Sequence, residues 1–198
     1  MKNYGIILLA AGGSSRLGKP KQLLPYGDKT LVQHALDTAL TAAPQQVVVV
    51  TGAHRDLLPP NDSFHIEYNT DWKEGIASSI PSGLNALLKK EPGIDAVIFI
   101  VCDQPYMSAT LLKELMDAHA VMGKEIVASA YADTVGIPAL FGKSFFTALS
   151  GLNGDEGAKR IIMQNPESVA VVGFPQGNID IDTAGDYAAL QGKDLPPV

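Results

Sequence analysis

The stretch YGIILLAAGGSSRLGKPK, Tyr4 to Lys21, sets an apolar run directly against a loop of glycines, small polar residues and cations. Side chains alternate across a sheet, so a run that is apolar at consecutive positions suits a strand covered on both faces. Counted from Gly13 to Lys19, the loop satisfies G-x-x-x-x-G-K, but Pro20 stands where a phosphate-binding P-loop needs Ser or Thr. Pro20 has no hydroxyl for Mg²⁺, and it disfavours helical backbone at Lys19, where a P-loop runs straight into its helix. GGSSRLG also misses the G-x-G-x-x-G spacing of dinucleotide loops. The reading that remains is a strand-to-loop junction. Gly12 and Gly13 let backbone amides turn toward an anion, and Arg16 and Lys21 add charge.

Working outward, similar β-branched runs recur at 46–52, 64–69, 95–102, 125–131 and 168–174. Helical patterns lie between them at 30–43, 79–90, 109–122 (with Ser108 as N-cap) and 156–164. The alternation predicts an α/β fold with a mostly parallel sheet. LLPPND (57–62) and DLPPV (194–198) read as surface loops. In an open parallel sheet, ligands bind beyond the carboxyl ends of the strands.

The composition narrows the class. A chain of 198 residues is most simply one domain, 1–198, and 46% hydrophobic with 18% charged residues describes an ordinary soluble globular chain. A net charge of -6 argues against nucleic acid as a partner, because such binding needs phosphate-neutralising cations. Cys102 is the sole cysteine, which excludes a disulfide framework and a thiolate metal cluster and suits a reduced, cytoplasmic setting. The first apolar run is too short to span a bilayer, so no membrane association is expected. His34, His54, His65 and His119 show no paired metal spacing and are read as structural or surface residues.

Two acidic segments follow strand-like runs. VCDQPYMS (101–108) places Asp103 at the end of the clearest buried run, where a carboxylate is a hard oxygen ligand for Mg²⁺. In NIDIDTAGDY (178–187), Asp180 and Asp182 share a face if the segment is extended. Asp182 either assists at that face or caps a helix beginning near Thr183. In NTDWKEGIASSIPSGLNAL (69–87), Gly75 permits close approach and Ser79 offers a hydroxyl. Taken singly, Trp72 fits a core aromatic and Ser79 a helix cap. GIPALFGKSFFTALSGLNGDEGAKRII (136–162) reads equally well as turns, with Asp155 capping a helix.

Taken together, these blocks carry a resemblance from Ile6 to Tyr187. The first is similar to L-A-A-G-x-S-x-R-M-G-x-x-K followed by L-L-P, the signature of nucleotidyltransferases with a three-layer α/β/α, GT-A-like Rossmann fold. Leu17 stands where Met is usual. Within that superfamily the chain most resembles the molybdenum cofactor cytidylyltransferases, the MocA-like group, and more distantly the MobA guanylyltransferases. The resemblance implies a single MobA-like domain that transfers CMP from CTP to the phosphate of molybdopterin and releases pyrophosphate, with a molybdoenzyme receiving the product. It implies that Ala10, Ala11, Gly12, Gly13, Arg16, Lys21, Asn69, Gly75, Ser79 and Asp103 bind nucleotide. It further implies catalytic roles for Arg16, Lys21 and Asp103, and a divalent ion, Mg²⁺ or alternatively Mn²⁺, on Asp103 and Asp180. Many members carry His at the position of Ile137, and Ala184 and Gly185 replace a usual Pro-Glu pair. The first departure leaves a sugar phosphate or another phosphorylated alcohol open as acceptor. A non-catalytic, nucleotide-binding cofactor-delivery protein is the rival outside enzymes.

Overall fold

A computed structural model describes residues 2–153 and 157–191. In chain order the elements are β1 (Tyr4–Leu9), β2 (Pro25–Tyr26), β3 (Lys29–Thr30), α1 (Leu31–Ala42), β4 (Val47–Thr51), β5 (His65–Tyr68), α2 (Ile76–Lys90) and β6 (Ala96–Val101). Then come α3 (Ala109–Met122), β7 (Ile126–Tyr131), β8 (Thr134–Gly142), α4 (Phe146–Ser150), α5 (Ala158–Gln164), β9 (Val169–Gly173) and α6 (Ala184–Gln191). Seven strands form one sheet in the order β5-β4-β1-β6-β8-β7-β9, and β2 and β3 form a separate small hairpin.

The consecutive apolar residues divide as alternation requires. Ile6 and Leu8 of β1 join one core cluster with α1 and α3, while Ile7 and Leu9 join another with α2, α4 and α5. Helices therefore cover both faces, giving the α/β/α sandwich. Ile6, Ile7, Leu8, Val47 to Val50 and Val97 to Ile100 have 0% exposure. Each such side chain contributes roughly 1.5–3 kcal/mol relative to leaving it in water.

Three expectations need correction. GIPALFG is not a turn but most of β8, antiparallel to both β6 and β7. Its Pro138 and Gly136 read as breakers, yet the register shifts between Ala128 and Ser129, leaving Ile137 and Pro138 outside the ladder pairs. A bulge is where a sheet tolerates a residue that cannot donate; Ser129 Oγ donates to the Pro138 carbonyl at 2.6 Å. Helix α2 starts at Ile76, three positions before the predicted start, with Pro81 inside it. Gly75 precedes it at φ +89°, a conformation that favours glycine. Ser79 is therefore an interior residue rather than a cap. The 57–62 loop is also less superficial than expected, because Leu57 and Leu58 are buried in the core. By contrast Ser108 caps α3, accepting from the Leu111 N–H at 3.2 Å. Asp155 and the 194–198 tail lie outside the described residues.

Candidate functional site

Strand β1 pairs with β4 on one side and β6 on the other, so the chain reverses its winding direction there. Leu9 and Val101 are register partners, which brings the carboxyl ends of β1 and β6 side by side. A doubly wound sheet opens a crevice at such a switch point. A cleft of about 180 Å³ lies there, lined on one side by Ala10, Ala11, Gly12 and Lys21 and on the other by Asp103. Trp72, Gly75, Ile76 and Ser79 of the α2 entry close it.

The loop after β1 is held by a residue the sequence reading missed. Gln22 is 1% exposed, and its Nε2 donates to the carbonyls of Ala10 (3.1 Å) and Gly12 (2.7 Å). Ser14, at φ +52°, accepts from the Lys21 N–H at 3.0 Å and donates to Gln22 Oε1 at 3.3 Å. Together these bonds tie carbonyls of the loop to its base. Nothing lies within 4 Å of where a Cβ at Gly12 would sit, so protein packing does not demand that glycine. The space it leaves opens beside the cleft.

The two lysines of the loop part company. Pro20 is extended, and Lys21–Leu23 forms a single 3-10 turn rather than the start of an α-helix. Lys19 Nζ lies 5.7 Å from the Tyr187 ring centroid. Lys21 lines the cleft, and its Nζ donates to Asp103 Oδ2 and, at 3.0 Å, to Asp182 Oδ1. Burial alone would pull the Lys21 ammonium down, but the charge and hydrogen bond of Asp103, with Asp182, hold it well above the ordinary lysine range. The P-loop reading, which needs Lys19 on phosphate, has no support in this geometry.

Ile181, between Asp180 and Asp182, is 0% exposed, and the charge of Asp182 reaches the Asp180 carboxyl. The Ile181 N–H donates to the Asp103 carbonyl at 3.0 Å, docking the segment on the end of β6. Asp180 is pushed up to about 6, first by burial of its carboxyl end and then by the charges of Asp103 and Asp182. Asp182 does not cap α6. Thr183 does: its Oγ1 accepts from the Asp186 N–H at 3.2 Å while Asp186 Oδ2 accepts from the Thr183 N–H at 2.8 Å. Ala184 and Gly185 thus leave the helix start intact. Asp182 instead accepts from Arg16 Nη2 at 2.8 Å as well as from Lys21, and these partners outweigh its burial to hold it below the usual carboxylate range.

The remaining predicted residues divide in two. Ala10, Ala11, Gly12, Gly75 and Ser79 line the cleft with Lys21 and Asp103. Gly13, Arg16, Asn69 and Asp180 do not. Gly13 lies against Trp72, and a Cβ there would come within 3.2 Å of the indole. Asn69 is buried behind the cleft, donating to Ser78 Oγ at 2.8 Å and to Ser79 Oγ at 3.0 Å, so it orients the hydroxyl rather than facing the pocket. Arg16 has 70% of its side chain exposed, at the rim. Tyr131, at the end of β7, was overlooked: burial raises its hydroxyl first, then the nearby charge of Asp180. It borders a second hollow of about 680 Å³ with Thr134, Val135, Met163 and Pro175. Cys102 is buried, and burial followed by Asp103 pushes its thiol up to about 12, as befits an inert side chain.

Asp180 is raised first by burial and then by the charges of Asp103 and Asp182, and a divalent cation would offset that crowding of negative charge. Among the described residues no group of three or more His, Cys, Asp or Glu side chains is disposed to hold a metal. Asp103 and Asp180, whose charges interact, could supply two carboxylate oxygen donors.

A cationic loop and an acidic strand end facing each other across the switch point of a doubly wound sheet define a phosphate-handling α/β protein. The chain belongs to the MobA-like NTP transferase domain family, whose model matches residues 6–169. It is 31% identical over 189 residues to nicotine blue oxidoreductase of Paenarthrobacter nicotinovorans, covering 89% of this chain and 91% of that protein. It is 27% identical over 194 residues to the purine catabolism protein PucB of Bacillus subtilis, covering 91% and 92%. The crystal structure of Rv0371c from Mycobacterium tuberculosis H37Rv superposes with a TM-score of 0.82 at 30% identity, covering 97% of this chain and 99% of the other. A structure of Rv0371c in complex with manganese superposes at 0.76 with 27% identity and the same coverage. Among the described residues no helix is long and apolar enough to cross a membrane.

Proposed function

We propose that the protein transfers CMP from CTP to the phosphate of molybdopterin and releases pyrophosphate. The observation that carries the reading is the meeting of Lys21, Asp103 and the C-terminal Asp180 and Asp182 at the carboxyl ends of β1 and β6. An acceptor phosphate is already a competent nucleophile. Its oxygen attacks the α-phosphorus, the bond to the bridging β-phosphate oxygen breaks, and no covalent enzyme intermediate is needed. Catalysis then reduces to aligning two polyanions and neutralising the charge that develops. Lys21 supplies fixed positive charge inside the cleft, and Arg16 at the rim grips phosphate oxygens in pairs. Gly12 leaves room for phosphate against the loop backbone. The α2 N-terminus, opening on Gly75 and Ile76, adds a favourable dipole for an anion. Ser79, held by Asn69, is left with a hydroxyl proton for a sugar or base edge. Asp103 and Asp180 would hold a divalent ion, Mg²⁺ or Mn²⁺, which would supply positive charge to offset that of the triphosphate.

CTP is favoured by the resemblance, in which L-A-A-G, matched here by Leu9 to Gly12, is the cytidylyl-type form of the loop and L-A-G-G the guanylyl-type; Ala10 and Ala11 line the cleft. The manganese complex of Rv0371c supports divalent metal use, and Tyr131 with its hollow is suited to form the acceptor side. The chain is read as one functional domain, acting in the cytoplasm and passing its product to a molybdoenzyme. The test is pyrophosphate release by purified protein across the four triphosphates, with molybdopterin or sugar phosphates as acceptor. CTP with molybdopterin should give the fastest release. Preference for GTP or ATP overturns the nucleotide, turnover of a sugar phosphate overturns the acceptor, and no release in any combination favours a delivery protein.

A further inference from the structure

Gln104 follows Asp103 in the chain but lines neither the cleft nor the hollow beside Tyr131, and it is 5% exposed. Its Nε2 donates to the Gly177 carbonyl at 2.9 Å, whereas its Oε1 is buried with no partner among the described residues. An acceptor left unmet in the interior is costly, and a methionine would fill the same space without that cost. What Gln104 has that such a side chain lacks is a pair of N–H donors. The Gly177 carbonyl they meet belongs to a residue with no room for a side chain, because a Cβ there would run into the Tyr131 ring and Phe174. Phe174 meets Tyr131 edge-on with ring centroids 6.2 Å apart, and on the other flank a Cβ at Gly136 would strike the Tyr131 hydroxyl. The ring is thus held by three neighbours while it borders the hollow. Among the described residues, the hydrogen bond that bears on its hydroxyl comes from the Gln104 amide and favours the charged form. The phenolic oxygen therefore accepts, and its own proton is left to donate.

We propose that Gln104 is a positioning residue that turns the Tyr131 hydroxyl proton toward an oxyanion entering from the hollow, the phosphate of the acceptor. In the nucleotidyltransferase reading of the cleft, on which this rests, that phosphate is the attacking group. Tyr131 contacts it, and Gln104 acts through Tyr131. A hydroxyl that donates to a charged phosphate oxygen makes a stronger bond than one between neutral groups. Because Gln104 is next in sequence to Asp103, the group that aims the acceptor sits on the same turn as the carboxylate facing the triphosphate. The two substrates are then aligned from one short, buried joint between the end of β6 and the end of β7.

The experiment is pyrophosphate release by the full chain with CTP and molybdopterin varied in turn, for Gln104→Met, Gln104→Leu, Tyr131→Phe and the double variant Gln104→Met with Tyr131→Phe. If the wild type turns over a sugar phosphate instead, the same comparison is made with that acceptor. Each single substitution should raise KM for the acceptor about tenfold, as befits one lost hydrogen bond to a charged group, and leave KM for CTP unchanged. The double variant should be no worse than Tyr131→Phe alone, because the amide acts only through the hydroxyl. Calorimetric titration with CTP and Mg²⁺ should give the wild-type affinity throughout, and thermal melting checks each variant for folding. A merely structural Gln104 would move the melting temperature and both KM values together. Additive losses in the double variant, or an equal rise in both KM values, overturns the inference while leaving the cleft a triphosphate site. An unchanged acceptor KM in Tyr131→Phe does the same, even where the Gln104 variants fail to fold. A wild type that releases no pyrophosphate with any triphosphate and acceptor overturns the functional reading and the inference with it.

Discussion

The two halves of the sheet are built on different rules. From β5 through β4 and β1 to β6 every neighbour is parallel, so strand ends of the same polarity gather at one edge, and the loop amides, Lys21 and Asp103 arise there. From β6 through β8 to β7 the pairing turns antiparallel, and a tight β7–β8 hairpin takes the place of a crossover helix. The parallel half concentrates charge at one line of strand ends, which a triphosphate needs. The hairpin half gives that arrangement up and raises a wall instead, with Tyr131 near Asp180 and an open hollow beyond. Substitutions on the two sides should therefore fail in different ways.

The largest effect is expected from Asp103→Asn, which keeps the shape but removes the charge. Turnover should fall roughly 10²–10³-fold with the melting temperature nearly unchanged. Near-normal divalent-dependent turnover would detach the strand end from the chemistry. Next, Lys21→Ala should depress kcat by about 10²-fold with both substrates saturating, because a group stronger on the transition state has gone. Lys19→Ala, on the side of Tyr187, should leave kcat almost untouched. Arg16→Lys should also be harmful, since an ammonium cannot reproduce a two-pronged grip. A strong Lys19 defect with an unaffected Lys21 variant would reverse the assignment of the loop.

On the hairpin side, a Cβ at Gly136 would collide with the Tyr131 hydroxyl. Gly136→Ala should cost about 1–3 kcal/mol of stability in a denaturant titration. In steady-state kinetics it should raise KM for the acceptor while leaving KM for the triphosphate unchanged. A change in both would mean that the halves are not separable. The smallest effect concerns Asp180. Its carboxyl titrates near 6 in the fold against an ordinary 3.8, so the native state holds that proton more tightly than the unfolded chain does. The stability this provides is present below about pH 4 and lost as pH rises through 6. Asp180→Asn should therefore melt higher than wild type at pH 7, with the difference fading toward pH 4, as thermal scans across that range would show. A variant that melts lower at pH 7 contradicts the burial of Asp180 beside the charges of Asp103 and Asp182.

Local features were legible in the sequence, and long-range ones were not. The six predicted strands form close to their expected positions because each is a consecutive apolar run, and Ser108 caps α3 because a cap needs only the next turn. β8 was hidden by Gly136 and Pro138, residues whose local preferences favour a turn and which a bulge accommodates through pairing with β7. The start of α2 was placed late because Gly75 and Pro81 look like interruptions when no tertiary contact is known. Ala10, Ala11, Gly12, Lys21 and Asp103 of the cleft lining belong to the loop and strand end that the sequence singles out, and Gly75 and Ser79 to the 69–87 block. Gln22 was not singled out, since a buried amide that organises backbone carbonyls leaves no mark on periodicity. Nor was the role of Asp182, whose partner Arg16 lies 166 positions away. Its only trace was its i, i+2 relation to Asp180.

That last separation bears on biosynthesis. The N–H of Ile181 closes on the carbonyl of Asp103, and Asp182 on a loop near the start of the chain. On the ribosome, β1 to β6 can pair and bury their core long before residue 180 leaves the exit tunnel. Through that interval Arg16 and Lys21 have no Asp182 to meet. The finished arrangement therefore forms only after the sheet, and its formation reports that the segment following β9 has been synthesised and docked on the end of β6.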